Sequence, residues 1–463
     1  MKSEKIERYP LTAAQKIHFY TLKYCPKKQV LNIGTSITVE GELDFGVLKQ
    51  AIYQAYERQE AMRIRFTDEI DGQVYQYIAP KEEREIEEMD FRGKTMEEAE
   101  DALRKMTEIP FARVDSPMNK IMMIKMPDGY QGIYLNVDHM TMDSYSIITL
   151  FTDILMIYVS LKYGLEYPAP MRSYVEALKH DLAYEGSEEE KRDQKFWQEN
   201  YQKDEPIFTY YSEKKVLEEQ RAASKNPNQR AARIACSSVE ACHTIYHLEP
   251  EPTARILRYI SERQLPFQSL LMMGIRTYLS KVNGGQKDVS IKTTVSRRAT
   301  VLDKKSGGTR IHFFPMRTIL EEDITFLEGM KKIQETENEI FRHANYDPVR
   351  LLKECQEAYH APVGTTYECM SVTYQPLTLR NANDNLYGIH FKSKWYSNGV
   401  AGCPLYLTVM HNSQDGGMDF YFEHQPGAVE EKELELMYYY LCRIIFMGME
   451  NDSMTIGEIL RTV

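Results

Sequence analysis

Gly132-Ile133-Tyr134-Leu135-Asn136-Val137-Asp138-His139-Met140-Thr141-Met142-Asp143-Ser144 is the stretch on which the reading of this chain turns. Its first half is apolar, β-branched and aromatic, the composition of a buried strand, and it stops at a histidine. Four residues after that histidine, Asp143 stands before an apolar run whose spacing predicts a long helix over 145–163. A histidine at a strand end is reached by solvent yet rigidly held, which suits a general base with a pKa near neutrality. A turn leaving the strand can fold Asp143 back beside His139, to orient the imidazole or to anchor the loop through an arginine. HxxxD spacing alone is common, so the surrounding sequence has to supply the context.

The chain has 463 residues, longer than single cores usually grow, so two domains of roughly 150–250 residues are expected. Hydrophobic residues make up 43% and aromatic residues 11%, with 32 tyrosines against two tryptophans. A tyrosine-rich interior can line a channel with apolar walls and hydrogen-bonding tips. The formal net charge of −11 argues against general nucleic-acid binding, which needs a basic field. No window reads as a membrane span and the start carries no apolar signal region, so a cytoplasmic protein without a membrane partner is expected. Seven cysteines are scattered without a disulfide framework. Cys236-x5-Cys242-His243 is the nearest approach to a metal site, and reduced thiols with no metal are the expectation.

Outward from the quoted stretch, helices are predicted from Pro10-Leu11-Thr12 to residue 24, over 44–57, and over 96–109 with Thr95 as cap. Strands are expected over 31–39 and 121–126, with a short pair at 62–66 and 74–78 around Asp71-Gly72. The charged stretch 174–201 reads as helix, and 202–240 as the least core-like region. Past residue 245, helices are expected at 253–263, 267–282, 325–343 and 429–447. Strands are expected there at 289–295, 311–319, 366–374, 405–411 and 418–423. The fold class is mixed α/β. The expected boundaries are 1–180 for an N-terminal lobe with the HxxxD motif, 181–244 for a helical connection and linker, and 245–463 for a C-terminal lobe. A basic run from Lys214 to Arg233 reads best as solvated linker.

The order of these segments resembles the condensation-domain family of nonribosomal peptide synthetases, within the chloramphenicol-acetyltransferase-like, CoA-dependent acyltransferase superfamily. Leu11-Thr12-Ala13-Ala14-Gln15 resembles the family's (S/T)xAQ opening. Arg58-Gln59-Glu60-Ala61-Met62-Arg63-Ile64-Arg65-Phe66 resembles RHExLRTxF. Pro110-Phe111 and Pro117-Met118 fall where the family has PFDL and PL. Asp138-His139-Met140-Thr141-Met142-Asp143-Ser144 stands in the place of HHxxxDG. Ser173-Tyr174 and Phe196-Trp197 are similar to the YxDFxxW…YW region. Val289 to Arg298 resembles the strand that ends in a Gly-Arg pair, and Gly308 to Arg317 resembles GxFxNxxPLR. The departures are Asp138 for the first His, Ser144 for the Gly, Arg297 for the Gly of the Gly-Arg pair, and His312 for the Asn.

The resemblance implies two chloramphenicol-acetyltransferase-like α/β lobes in a V-shaped pseudo-dimer, with the active site between them. It implies a free-standing condensation-type acyltransferase that joins an acyl thioester to an amine, forming an amide in nonribosomal peptide or related natural-product biosynthesis. The thioester is carried on phosphopantetheine of an acyl or peptidyl carrier protein acting in trans, or on CoA, and no bound cofactor is expected. His139 and Asp143 are the implied catalytic pair. Asp138, Ser144, Arg298 and Arg63 are expected to support the loop, with Arg298 or Arg63 as the salt-bridge partner of Asp143. For Asp138 a turn role is favoured. Ser146 and His312 are candidates for tunnel or substrate contacts, and helix capping is as good an account of Ser144 and Ser146. The loop Ser397-Asn398-Gly399-Val400-Ala401-Gly402 is expected to reach from the second lobe toward the first. Asp138-x4-Asp143-x2-Ser146 also fits the DxxxxDxxS signature of heterocyclization domains, but those normally lack the histidine that this chain has. A CoA-dependent O-acyltransferase and a non-catalytic carrier-protein scaffold also stay open at this point.

Overall fold

The computed structural model describes residues 6–82, 84–376, 390–412 and 414–463. These group into two compact units. The first comprises the described parts of Met1–Ser187, Ser296–Ile311 and Leu377–Val400, and the second Glu188–Val295, His312–Pro376 and Ala401–Val463. The division departs from the expected linear boundaries. Two segments from beyond residue 245 are built into the first unit, and the second unit begins at Glu188 rather than near 245.

The first unit is built on a five-stranded sheet in the order Phe391–Tyr396, Asn32–Glu40, Tyr130–Asp138, Asn119–Lys125, Glu87–Asp90. Pairing is antiparallel throughout except for the edge strand Glu87–Asp90, which runs parallel to Asn119–Lys125. Tyr130–Asp138 is the middle strand, and its side chains alternate between two helix-covered faces. Ile133, Leu135 and Val137 pack with Leu48, Ala51, Ile52 and Ala55 of the helix Phe45–Arg58 and with the helix Ser144–Tyr163. Tyr134 points the other way, against Ala99 and Leu103 of the helix Met96–Thr107. Burial on both faces is why this strand reads as continuous apolar sequence. Gly34 makes the second face possible, because a Cβ there would lie 1.9 Å from Thr107 Oγ1. A small second sheet orders Tyr9–Pro10, Tyr75–Ile78 and Ile64–Phe66, with Ile64 opposite Ile78.

The second unit has a six-stranded sheet in the order His312–Ile319, Asp288–Val295, Ser371–Gln375, Leu405–His411, Met418–His424, Cys242–Leu248. Ser371–Gln375 runs parallel to both its neighbours, and the other pairs are antiparallel. The helix Phe267–Val282 is buried nearly all round, which explains its continuous apolar composition. Trp197 is fully buried and stacks on Phe314 at 4.7 Å.

Two expectations are corrected here. Residues 202–240 are not a bare linker: Phe208, Tyr210, Tyr211, Leu217, Ala231 and Ala232 are buried, most of them in the second unit's core. The helix Ser144–Tyr163 is 20 residues long with a mean hydropathy of 1.6 over its most apolar window, enough by length and composition to cross a membrane. Its burial against the central sheet identifies it as a core helix.

Candidate functional site

His139 follows the middle strand directly, and its backbone N–H donates to Leu31 O at 2.8 Å, the last tie to the neighbouring segment. The turn after it is set by Asp138. That carboxylate is fully buried, accepts the Met140 N–H at 2.9 Å through Oδ1, and meets Arg113 Nη2 at 2.6 Å through Oδ2. The turn role expected for Asp138 is thus joined by a salt bridge that the sequence did not disclose. Burial pushes the Asp138 carboxyl up, against the opposing pull of Arg113. The Thr141 N–H and hydroxyl both donate to Asp138 O, which closes the turn.

Asp143 caps the helix Ser144–Tyr163 by accepting the Ser146 N–H at 3.0 Å. The cap is therefore neither Ser144 nor Ser146. Of its two expected partners, Arg298 is the one present: Nη2 lies 2.7 and 2.8 Å from the two Asp143 oxygens, with both side chains 1% exposed. Arg63 instead donates to Ala79 O at 2.8 Å and braces the small sheet. The Arg310 N–H adds a further donor to Asp143 at 3.0 Å. Burial raises the Asp143 carboxyl, but Arg298 and the two backbone donors outweigh it, so it stays ionised below the usual carboxylate range. Arg298 also donates to Gly308 O at 2.9 Å and Asp303 O at 2.5 Å, and stands over the Tyr145 ring.

Beside this pair the buried charges continue. Arg297 and Arg310 both meet Asp181, at 3.1 and 3.0 Å, and Arg310 also meets Asp303 at 2.9 Å. Three guanidiniums thus face three carboxylates. Arg297 has φ +52°, in the left-handed region. That is the physical reason a glycine suits the first place of a Gly-Arg pair. Here an arginine occupies it, and its ion pair to Asp181 offsets the conformational cost.

Of the remaining expected residues, Ser146 joins this cluster and His312 lies in the other unit. Ser146 is fully buried, its hydroxyl donating to Gly308 O at 2.6 Å and accepting from Arg298 at 2.8 Å, so it holds the loop and offers no surface to a substrate. His312 belongs to the second unit, is fully buried, bonds Ala344 O through Nδ1 at 2.8 Å, and sits edge-on to Phe314. It is a buried residue of that unit's sheet. The 397–400 part of the expected crossing loop belongs to the first unit, where Asn398 Nδ2 donates to Val30 O and Asn32 O. The strand before it pairs with Asn32–Glu40.

Sequence reasoning missed His18. It lies on the helix Ala13–Tyr24, is buried, and stacks on His139 with ring centroids 4.1 Å apart and planes 26° from parallel. Its Nε2 is 3.4 Å from Thr309 Oγ1. Burial, then the proximity of His139, holds its pKa well below the ordinary histidine value. The only local trace is spacing: His18 is three residues after Gln15, hence on the same helix face, and that spacing does not point to His139. Gln15 completes a capping box with Thr12 and sends Nε2 to Met140 O at 3.2 Å, so the opening segment touches the loop of His139. His139 is partly exposed. Its Nδ1 is buried and makes no well-formed hydrogen bond, although the backbone of His139 and Met142 favours a proton on the ring. Burial lowers its pKa, while the charges of Asp143 and Asp138 partly offset that. Among the described residues, no group of three or more His, Cys, Asp or Glu side chains is placed to hold a metal ion.

Comparison with known proteins bears on what this arrangement is. The chain is 24% identical over 461 residues to surfactin synthase subunit 1 of Bacillus subtilis (strain 168), covering 98% of this chain and 12% of that protein. It is 20% identical to bacitracin synthase 3 of Bacillus licheniformis, covering 99% of this chain and 7% of that protein. The chain therefore spans only a small part of the length of either relative. In fold it is similar to the first condensation domain of the calcium-dependent antibiotic synthetase bound to substrate analogue 2a, with a TM-score of 0.77 at 19% identity over 98% of this chain and 99% of that one. It is also similar to a double mutant of the starter condensation domain of rhizomide synthetase in complex with C8-CoA and Leu-SNAC, with a TM-score of 0.78 at 17% identity over 97% and 96% of the two chains. The family model described as "Condensation domain" matches residues 5–460. The chain belongs to the condensation-domain family.

Proposed function

We propose that this chain is an acyltransferase that forms an amide between an acyl thioester and an amine, with His139 as the base. The observation that carries this reading is His139 itself. It is a partly exposed imidazole directly after the central strand, on a turn held by Asp138–Arg113 and just ahead of a helix whose cap, Asp143, is held by Arg298. With Nδ1 buried, Nε2 is the nitrogen left to meet a substrate. A lowered pKa keeps the ring neutral near pH 7, the form a base needs.

The step balances simply. The amine nitrogen attacks the thioester carbonyl carbon, a C–N bond forms, the C–S bond breaks, and the proton lost by nitrogen passes through His139 Nε2 to the departing thiolate. No covalent enzyme intermediate is required. A thioester is already activated, so holding the amine and thioester together contributes alongside proton transfer. Asp143 acts through the loop and does not hydrogen-bond His139.

The acyl donor is a phosphopantetheine thioester, on a carrier protein or on CoA. The synthase relatives favour the first and the neighbour bound to C8-CoA supports the second. The ring-forming alternative has less support, because its three positions are occupied: Asp138 by Arg113, Asp143 by Arg298, and Ser146 by Gly308. The test is product analysis. The protein is incubated with octanoyl-CoA or octanoyl carrier protein and a panel of amines, alcohols and cysteinyl thioesters, and the products are read by mass. An amide is expected. An ester, a product lighter by one water, or no consumption of any thioester would each overturn the assignment.

A further inference from the structure

We propose that His18 is a positioning residue for His139: its ring, stacked on the His139 imidazole, fixes the orientation of that imidazole and keeps water from one of its faces. This inference rests on the reading of His139 as the reacting base. His18 occupies a position that apolar packing alone would fill. Its helix buries Ala14 and Leu22 on the same side, and His18 has only 4% exposure. A polar ring placed there carries a desolvation cost that a leucine would avoid. Against that cost stands one long contact, Thr309 Oγ1 at 3.4 Å from Nε2. Packing therefore does not account for the residue, while the stack does.

The geometry shows what the stack controls. A flat ring at 4.1 Å and 26° covers one face of His139 and restricts rotation about its terminal torsion, which for histidine is broad when nothing holds it. His139 lacks a firm hydrogen bond at Nδ1 that would otherwise fix the ring. Both nearby carboxylates, the usual anchors for a second ring nitrogen, are committed to arginines. The groups facing His139 are Asp143 held by Arg298, Asp138 held by Arg113, the backbone of Met142, and His18, itself faced by Thr309. A second protonated imidazole in this stack would repel the first, and burial with that repulsion holds the His18 pKa well down, so His18 stays a neutral ring against His139.

The experiment is a ¹⁵N-histidine NMR titration of the full chain between about pH 5 and 8.5, spanning the histidine range, with His139 assigned by its loss in His139→Ala. Wild type is compared with His18→Phe, which keeps a flat ring, and His18→Ala, which removes it. In His18→Phe the His139 tautomer and titration midpoint match wild type. In His18→Ala water reaches the uncovered face, so the midpoint moves to higher pH and the tautomers average. If His18→Ala does not fold, His18→Leu takes its place, keeping apolar volume without a flat face, and tautomer averaging is expected. Unchanged His139 signals in the ring-less variant would overturn the proposal, as would an equal disturbance in His18→Phe. The readout needs no turnover, so a failure of His139 to act as base would be seen separately in the acyl-transfer assay.

Discussion

Substituting Arg298 by methionine strands the Asp143 carboxylate at a position 1% exposed. Breaking a buried ion pair from one side costs about 3–5 kcal/mol, because the remaining charge is neither solvated nor paired. Asp143 keeps the Ser146 and Arg310 N–H donors, at 3.0 Å each. Those charge-assisted bonds place the expected loss at the lower end, about 3 kcal/mol. Asp143→Asn removes the charge from the other side but keeps an oxygen for the helix cap. Asp143→Ala loses the cap as well and should cost about 1 kcal/mol more than Asn. The double variant Asp143→Asn with Arg298→Met strands neither charge, so its cost falls about 2 kcal/mol or more short of the sum of the singles. The assay is urea unfolding with pulsed hydrogen exchange read on peptides from 130–163, so that the first unit is followed separately. The pH dependence has a definite sign. Asp143 is held below its unfolded value, so its contribution is present above about pH 4 and lost as pH falls through the folded value. The advantage of wild type over Arg298→Met therefore narrows in acid. A cost under about 1 kcal/mol for Arg298→Met, or additivity within about 0.5 kcal/mol in the cycle, would refute the idea that this pair braces the loop.

Gly308→Ala places a Cβ 2.5 Å from the Tyr174 ring at φ +84°. A loss of about 1–3 kcal/mol is expected in thermal unfolding, with loosened exchange at Ser146, whose hydroxyl uses the Gly308 carbonyl. Arg113→Met leaves Asp138 buried without its cation. A stability loss of about 3 kcal/mol and reduced acyl transfer should follow, measured by denaturation and product formation. Glu337, in the second unit, is raised by burial to about 7, and Ser269 bonds it at 2.5 Å. Its folded value lies above its unfolded one, so stability is full below the unfolded carboxyl range and drains away as pH rises toward the folded value. Glu337→Gln should flatten the fall in stability between about pH 5 and pH 8, read by urea titrations at each pH.

Most of the elements near the site were legible because their local signals agree. The strand ending at His139, the helix capped by Thr95 and the short pair around Asp71-Gly72 each combine a clear period with a turn or cap, and the structure has all three. The Asp143–Arg298 pair came from family order and not from spacing: 155 residues separate its members. The stack of His18 on His139 was not legible because a contact so distant in sequence leaves no periodic trace, and a lone histidine on an apolar helix face reads as core. The tyrosines at 210 and 211 were hidden by their charged surroundings. They are buried beneath Ala428, whose carbonyl both hydroxyls reach, a pairing that local hydrophobicity does not register. The strand Phe391–Tyr396 was missed because Lys392 and Lys394 break its apolar pattern, as expected of an edge strand.

The central claim is that His139 takes the proton from the attacking amine. Single-turnover amide formation from octanoyl-CoA or octanoyl carrier protein, whichever the product analysis selects, compared between wild type and His139→Ala at saturating substrates, tests it most directly. A fall of about 10²–10⁴-fold in the rate is predicted, with the melting temperature and thioester binding unchanged. An amide-forming rate in His139→Ala equal to that of wild type would contradict it.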